Sequence, residues 1–168
     1  ALFQQTTLAE MDSVQLMSRT DTKYVFNALH LSEILIKLSD NYKVLNVNGL
    51  NINDYQTLYY DTDDFLFYQH HQQGKGNRCK VRSRTYMQSD LHFFEIKNKN
   101  NKSLTVKKRI KTPEHVSLLD DSCEKFYHKN AIVNDAELKP KLWVNYSRIT
   151  LVNKNQPERL TLDIHLHF

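Results

Sequence analysis

The chain has 168 residues, 40% of them hydrophobic and 25% charged, with a formal net charge of +4. This length supports one hydrophobic core and the composition is that of a folded globule, so residues 1–168 read as a single domain and a disordered tail is excluded. The small positive excess admits an anionic partner without naming one. No apolar run approaches the roughly 18 residues of a membrane span, and residues 1–10 lack the pattern of a secretory leader. Cys79 and Cys123 stand too far apart for a C-x-x-C metal or redox motif, and read as two reduced thiols of a cytoplasmic protein.

In chain order, Thr7-Leu-Ala-Glu10 has capping-box spacing and predicts a short helix reaching about Met17. Thr22–Asn27 is β-branched and aromatic and predicts a strand. The apolar spacing of Leu31, Ile34, Leu35 and Leu38 predicts a helix over Leu29–Asp40. Strands follow at Tyr42–Val47 and Tyr55–Tyr60, on either side of the Asn48-Gly49 turn signal. A short helix is expected within Asp61–Gln73, before the Gly74-Lys-Gly76 loop. Asn77–Tyr86, Leu91–Lys99 and Ser103–Lys111 predict three strands joined by short polar turns, hence antiparallel hairpins. Pro113–Lys141 reads as loop with a short helix, and Leu142–Val152 and Arg159–Phe168 as two further strands. The fold class is α+β, dominated by an antiparallel sheet.

Side chains of one parity share a face of a strand. On that rule Arg78, Lys80, Arg82 and Arg84 face one side of their strand, and Cys79, Val81, Ser83 and Thr85 the other. Glu95, Lys97 and Lys99 oppose Phe94 and Ile96. Thr105, Lys107, Arg109 and Lys111 oppose Leu104, Val106 and Ile110, with Lys108 the exception. Tyr146, Arg148 and Thr150 oppose Trp143, Ile149 and Leu151, and Arg159, Thr161, Asp163, His165 and His167 oppose Leu160, Leu162, Ile164, Leu166 and Phe168. A charged wet face on one strand is ordinary. Adjacent strands carrying Arg82, Arg84, Lys97, Lys107 and Arg109 with only Glu95 to offset them are not, because like charges opposite one another repel. Such a face becomes favourable when a polyanion neutralises it, and a sheet curled around it would form a tunnel for phosphates. The outward apolar face would then need cover, which the two N-terminal helices could partly supply.

Seven segments, in order, carry a resemblance: Arg19–Phe26, Thr57–Thr62, Arg78–Arg84, Phe94–Lys97, Val106–Arg109, Tyr146–Arg148 and Arg159–Asp163. The chain resembles the VTC domain, the polyphosphate-polymerase domain of vacuolar transporter chaperone proteins and their bacterial relatives, within the triphosphate tunnel metalloenzymes. The resemblance implies an antiparallel β-tunnel in which Lys23, Arg82, Arg84, Lys97, Lys107, Arg148 and Arg159 bind phosphate and Tyr146 donates a hydrogen bond. Lys23 and Lys107 take the catalytic part; Arg109 joins the binding set on parity alone. Where tunnel hydrolases open with Glu-x-Glu-x-Lys, this chain has Arg19-x-Asp21-x-Lys23, which resembles the VTC branch and argues against a metal-rich triphosphatase. The resemblance also implies a C-terminal segment with a metal-binding Glu and a further Lys, so a chain that stops at Phe168 reads as truncated or shortened.

The implied activity is transfer of the terminal phosphoryl group of ATP onto polyphosphate, with Mg²⁺ or Mn²⁺ as cofactor and Glu95 as the carboxylate left to hold it. Glu95 reads equally as a charge partner of its basic neighbours. Asp163, His165 and His167 share a parity but read as polar surface. The alternative function is a non-catalytic module that binds polyphosphate or inositol polyphosphate. Nucleic acid is the least favoured partner, because Tyr59, Tyr60, Phe93 and Phe94 mostly fall on the other parity or read as core. The expected ligand is polyphosphate or a nucleoside triphosphate, and the oligomeric state is not legible.

Overall fold

The computed structural model describes residues 2–12, 21–102 and 104–168. Its elements are β1 (Gln4–Thr6), α1 (Leu8–Asp12), α2 (Leu31–Leu38), β2 (Tyr42–Leu45), β3 (Ile52–Asp61), α3 (Leu66–Gln72), β4 (Arg78–Tyr86), β5 (Leu91–Lys99), β6 (Thr105–Thr112), α4 (Asp121–Asn130), β7 (Lys139–Trp143), β8 (Asn145–Asn153) and β9 (Arg159–His167). By their contacts they form two compact units. One runs up to Asp54 and adds Tyr146–His165; the other is Tyr55–Asn145 with Leu166–Phe168.

In the first unit the capping box forms as its spacing predicts. The Glu10 amide donates to the Thr7 hydroxyl and the Thr7 amide to the Glu10 carboxylate, both at 3.3 Å, so orphan donors at the start of α1 are satisfied. The expected continuation to Met17 lies outside the described residues, as does Arg19. β1, which the sequence reading missed, pairs in parallel with β2, and β2 runs antiparallel to β8. At three residues, β1 is too short to show a period. β9 also pairs with β8. The helical spacing of α2 places Leu31, Ile34, Leu35 and Leu38 against Tyr42, Val44, Ile149, Leu151 and Leu162. The Asn48-Gly49 turn has φ of 51° and 87°, with Val47 and Leu50 exchanging backbone hydrogen bonds of 2.9 and 3.0 Å. Two successive positive φ values are what Asn-Gly supplies at little cost.

The strand expected at Thr22–Asn27 does not form; residues 21–27 lie outside any strand or helix and are exposed. β-propensity records packing against neighbours rather than a backbone preference, and here Tyr24 and Val25 face solvent. Asn27 serves the next element instead, its side chain accepting the Leu29 amide at 3.0 Å to cap a short 3-10 turn.

In the second unit β4, β5 and β6 pair antiparallel in sequence, and β3 pairs with β4 on one side and β7 on the other. The single strand expected over Leu142–Val152 is two strands, broken at Val144, whose amide donates 2.7 Å to the Thr57 carbonyl. The odd-numbered face of β4 and the even-numbered face of β5 form the core face: Cys79, Val81, Phe94 and Ile96 pack with Tyr60, Phe67, Val116, Cys123 and Tyr127. The cover on this face comes from α3, the loop at Val116 and α4, all later in the chain than the N-terminal helices expected to supply it. Lys108, the parity exception, donates 3.0 Å to the side chain of Asn130, the last residue of α4. Cys79 and Cys123 are free and buried in this core, and burial pushes both thiols up to about 12.

Candidate functional site

The even face of β4 carries the charges, and the ladder register sets them in rows. Lys80 stands opposite Lys97, which stands opposite Lys107. In the next row Tyr59 faces Arg82, Arg82 faces Glu95 and Glu95 faces Arg109. Five cations thus surround one carboxylate on a face where like-charged neighbours repel. Arg82 and Lys107 fall on the same side of the sheet, as the alternation requires.

Glu95 is only 1% exposed, and a buried carboxylate is tolerated when it is paired. Arg82 reaches one of its oxygens with Nε at 2.7 Å and Nη2 at 2.6 Å, while Lys107 holds the other. Burial opposes ionisation of Glu95, yet Arg82 and Lys107 outweigh it and hold the carboxyl below its ordinary value. The remaining guanidinium nitrogen of Arg82 donates to the Tyr59 hydroxyl at 3.2 Å. Burial likewise opposes ionisation of Tyr59, but Arg82, Arg84 and Lys80 bring its pKa down on balance. Burial pushes Lys107 below the ordinary lysine value, and Arg82 and Arg109 push the same way against Glu95. Tyr59, Lys80, Arg82, Glu95, Lys97 and Lys107 line a cavity of about 20 Å³, room for roughly one water molecule.

The other expected ligands have individual placements. Lys97 is exposed beside this cavity. Arg109 lies over the Phe93 ring at 4.3 Å, a cation–π contact that holds the guanidinium on the charged face. Arg84 is buried at 8% exposure, with Nε 3.1 Å from the Thr57 hydroxyl and its guanidinium 5.5 Å from the Tyr55 ring centre. Lys23, Tyr146, Arg148 and Arg159 belong to the first unit. There Arg148 grips Asp163 bidentately at 2.6 and 2.7 Å and lies 5.0 Å over the Tyr146 ring. Lys23 and Arg159 are exposed. Tyr59 and Lys80 were not among the expected ligands. Lys80 shares the parity of Arg82, so the signal was present; Tyr59 needed the register of β3 against β4.

Glu95 was the expected metal ligand. Both of its oxygens face cationic donors, a set that fits a charge partner and not Mg²⁺ or Mn²⁺, which need several oxygen ligands. Among the described residues no three His, Cys, Asp or Glu side chains gather to hold a metal. In β9, φ is 53° at His165, which interrupts the alternation that would align Asp163, His165 and His167.

Residues 18–168 match the family model of the VTC domain. The chain belongs to the VTC domain family. No curated protein matches its sequence. Among solved structures, a candidate adenylate cyclase from Bacillus halodurans superposes with a TM-score of 0.51 at 15% identity, over 86% of this chain and 70% of that one. The PH1819 protein of Pyrococcus horikoshii OT3 gives a TM-score of 0.47, also at 15% identity, over 81% of this chain and 66% of that one. The α+β, mainly antiparallel fold of this VTC domain is therefore the triphosphate-tunnel fold. Among the described residues no helix is long and apolar enough to cross a membrane.

Proposed function

We propose that this VTC domain binds the phosphates of polyphosphate or of a nucleoside triphosphate on the charged face of β4–β6, and that it serves a phosphotransferase extending polyphosphate from ATP. The observation that carries the reading is the Lys80–Lys97–Lys107 row beside Arg82 and Arg109, with Glu95 as its single acid. Consecutive phosphates present repeated negative charge to such a row. Lysine supplies compact point charges there, and arginine can grip two oxygens of one phosphate. Phosphoryl transfer depends mostly on positioning and on neutralising charge over the transferred group, both of which a cationic face provides. Lys107 pairs with Glu95, and Lys23 and Lys107 are the residues to which we assign a catalytic part. Arg82, Arg84, Lys97, Arg109, Tyr146, Arg148 and Arg159 are binding residues in this reading.

A second reading, a non-catalytic phosphate-chain binder, draws support from Glu95, whose two oxygens are taken by Arg82 and Lys107. Incubation with ATP and Mn²⁺ or Mg²⁺, followed by electrophoresis for phosphate chains and chromatography for cyclic nucleotide, separates the two. Chain growth supports the phosphotransferase. Tight tripolyphosphate binding with no product supports the binder, and no affinity for tripolyphosphate overturns both.

A further inference from the structure

The lysine row lies at the end of the sheet where β3 finishes and β4 begins, and a second, larger cavity opens there. It measures about 700 Å³, and Tyr59 and Lys80 line it as well as the small charged cavity. Its other walls carry the rings of Tyr60, Phe65, Phe67 and Tyr68, with Asp61, Asp64 and Lys141 among the polar residues beside them. The volume is that of a site for a small organic molecule. Asp61 builds the wall: its carboxylate accepts the Phe67 and Tyr68 amides at 2.8 and 2.9 Å, fixing the first turn of α3 against the end of β3.

Phe65 is the unusual residue. It holds φ 58° and ψ 42°, the left-handed region that a bulky side chain rarely adopts. That backbone turns its ring into the wall of the cavity, where it remains 46% exposed, and Tyr68 beside it is 59% exposed. Lys141 stands 5.2 Å from the Phe65 ring centre. Uncommon backbone conformations tend to persist at functional sites because the conformation serves the site.

We infer that this cavity takes the nucleobase of a nucleoside triphosphate whose phosphates lie along Lys80, Lys97 and Lys107. The inference rests on the phosphate-binding reading above. Two partly exposed rings offer stacking surface to a flat base, and base–aromatic stacking tolerates any base because each has a π face. A bare phosphate chain has no apolar part to fill an aromatic cavity, and a free nucleoside has no charge for the lysine row. Only a molecule with both parts matches two cavities that share Tyr59 and Lys80.

Calorimetric titration of ATP and of tripolyphosphate into the wild type, Phe65→Gly and Tyr68→Ala tests this. Each variant should lose about tenfold in ATP affinity, the scale of one lost base stack, and keep its tripolyphosphate affinity. Phe65→Gly should melt no lower than the wild type, since glycine adopts positive φ without strain, which separates the lost ring from a lost fold. Unchanged ATP affinity in both variants, equal losses for the two ligands, or a wild type that binds tripolyphosphate but not ATP overturns the nucleobase site alone. A wild type that binds neither ligand overturns the phosphate reading, and this inference with it.

Discussion

Arg82 brings both Nε and Nη2 to a single oxygen of Glu95, at 2.7 and 2.6 Å, and the other oxygen is left to Lys107. The carboxylate stands among the cations where a phosphate oxygen would also be favoured. It keeps Arg82 and Lys107 paired in the empty protein, and a bound phosphate chain would compete with it for the same donors.

Glu95→Gln should therefore destabilise the empty protein by about 2 kcal/mol at neutral pH. Breaking a fully buried pair costs roughly 3–5 kcal/mol, and Lys107 at 39% side-chain exposure is partly screened. Glu95 titrates below its ordinary 4.5 in the folded state, so its contribution is present above that pH and is lost as pH falls through the lowered folded value. The gap between wild type and variant in urea denaturation should then close in acid. Tripolyphosphate should raise the melting midpoint of Glu95→Gln more than that of the wild type; an equal rise would mean that phosphate does not reach Arg82 and Lys107.

Lys107 loses its proton below the ordinary lysine value of 10.5, because burial and then Arg82 and Arg109 disfavour its charge more than Glu95 favours it. Its folded-state charge is thus a cost to stability that is relieved as pH rises from the folded pKa toward 10.5. Tripolyphosphate affinity should fall over the same alkaline range, as the row loses one of its charges. In Lys107→Arg the fall should move to higher pH, since arginine stays protonated. Binding isotherms between neutral pH and 10.5 check this, and identical profiles for both proteins would remove Lys107 from the site.

Arg84 should serve folding as well as binding, and Lys97 binding alone. Arg84 is buried against Thr57 and Tyr55, so Arg84→Ala should cost about 1.5–3 kcal/mol of stability, the range for a hydrogen bond to a charged group. Lys97 is exposed, and Lys97→Ala should change stability by no more than about 0.5 kcal/mol while weakening tripolyphosphate binding. Thermal melts and calorimetry on both variants decide it. A large loss of stability in Lys97→Ala with normal binding would remove Lys97 from the site.

The alternation of β4, β5 and β6 was legible from the residues, because a strand's period of two is local geometry that needs no partner. It places Arg82, Glu95, Lys97, Lys107 and Arg109 on one face and Val81 and Ile96 on the other from local geometry alone. The capping box at Thr7 and Glu10 and the Asn48-Gly49 turn were equally local. Thr22–Asn27 misled for the complementary reason: composition favours a strand, but only a ladder partner makes one.

Register was the tertiary structure's decision. Which lysine faces which, and that Arg82 takes one oxygen of Glu95 while Lys107 takes the other, depend on how three strands align, and no single strand encodes that. The burial of Arg84 under Tyr55 and the bidentate hold of Asp163 on Arg148 have the same origin. The aromatic cavity depended most on tertiary structure, since it exists only because Asp61 pins α3 to the end of β3 and Phe65 adopts a positive φ that no hydrophobic periodicity announces. Composition and parity set which charges could meet; long-range packing set which ones do, because a side chain's neighbours across a sheet are fixed by pairing and not by sequence distance.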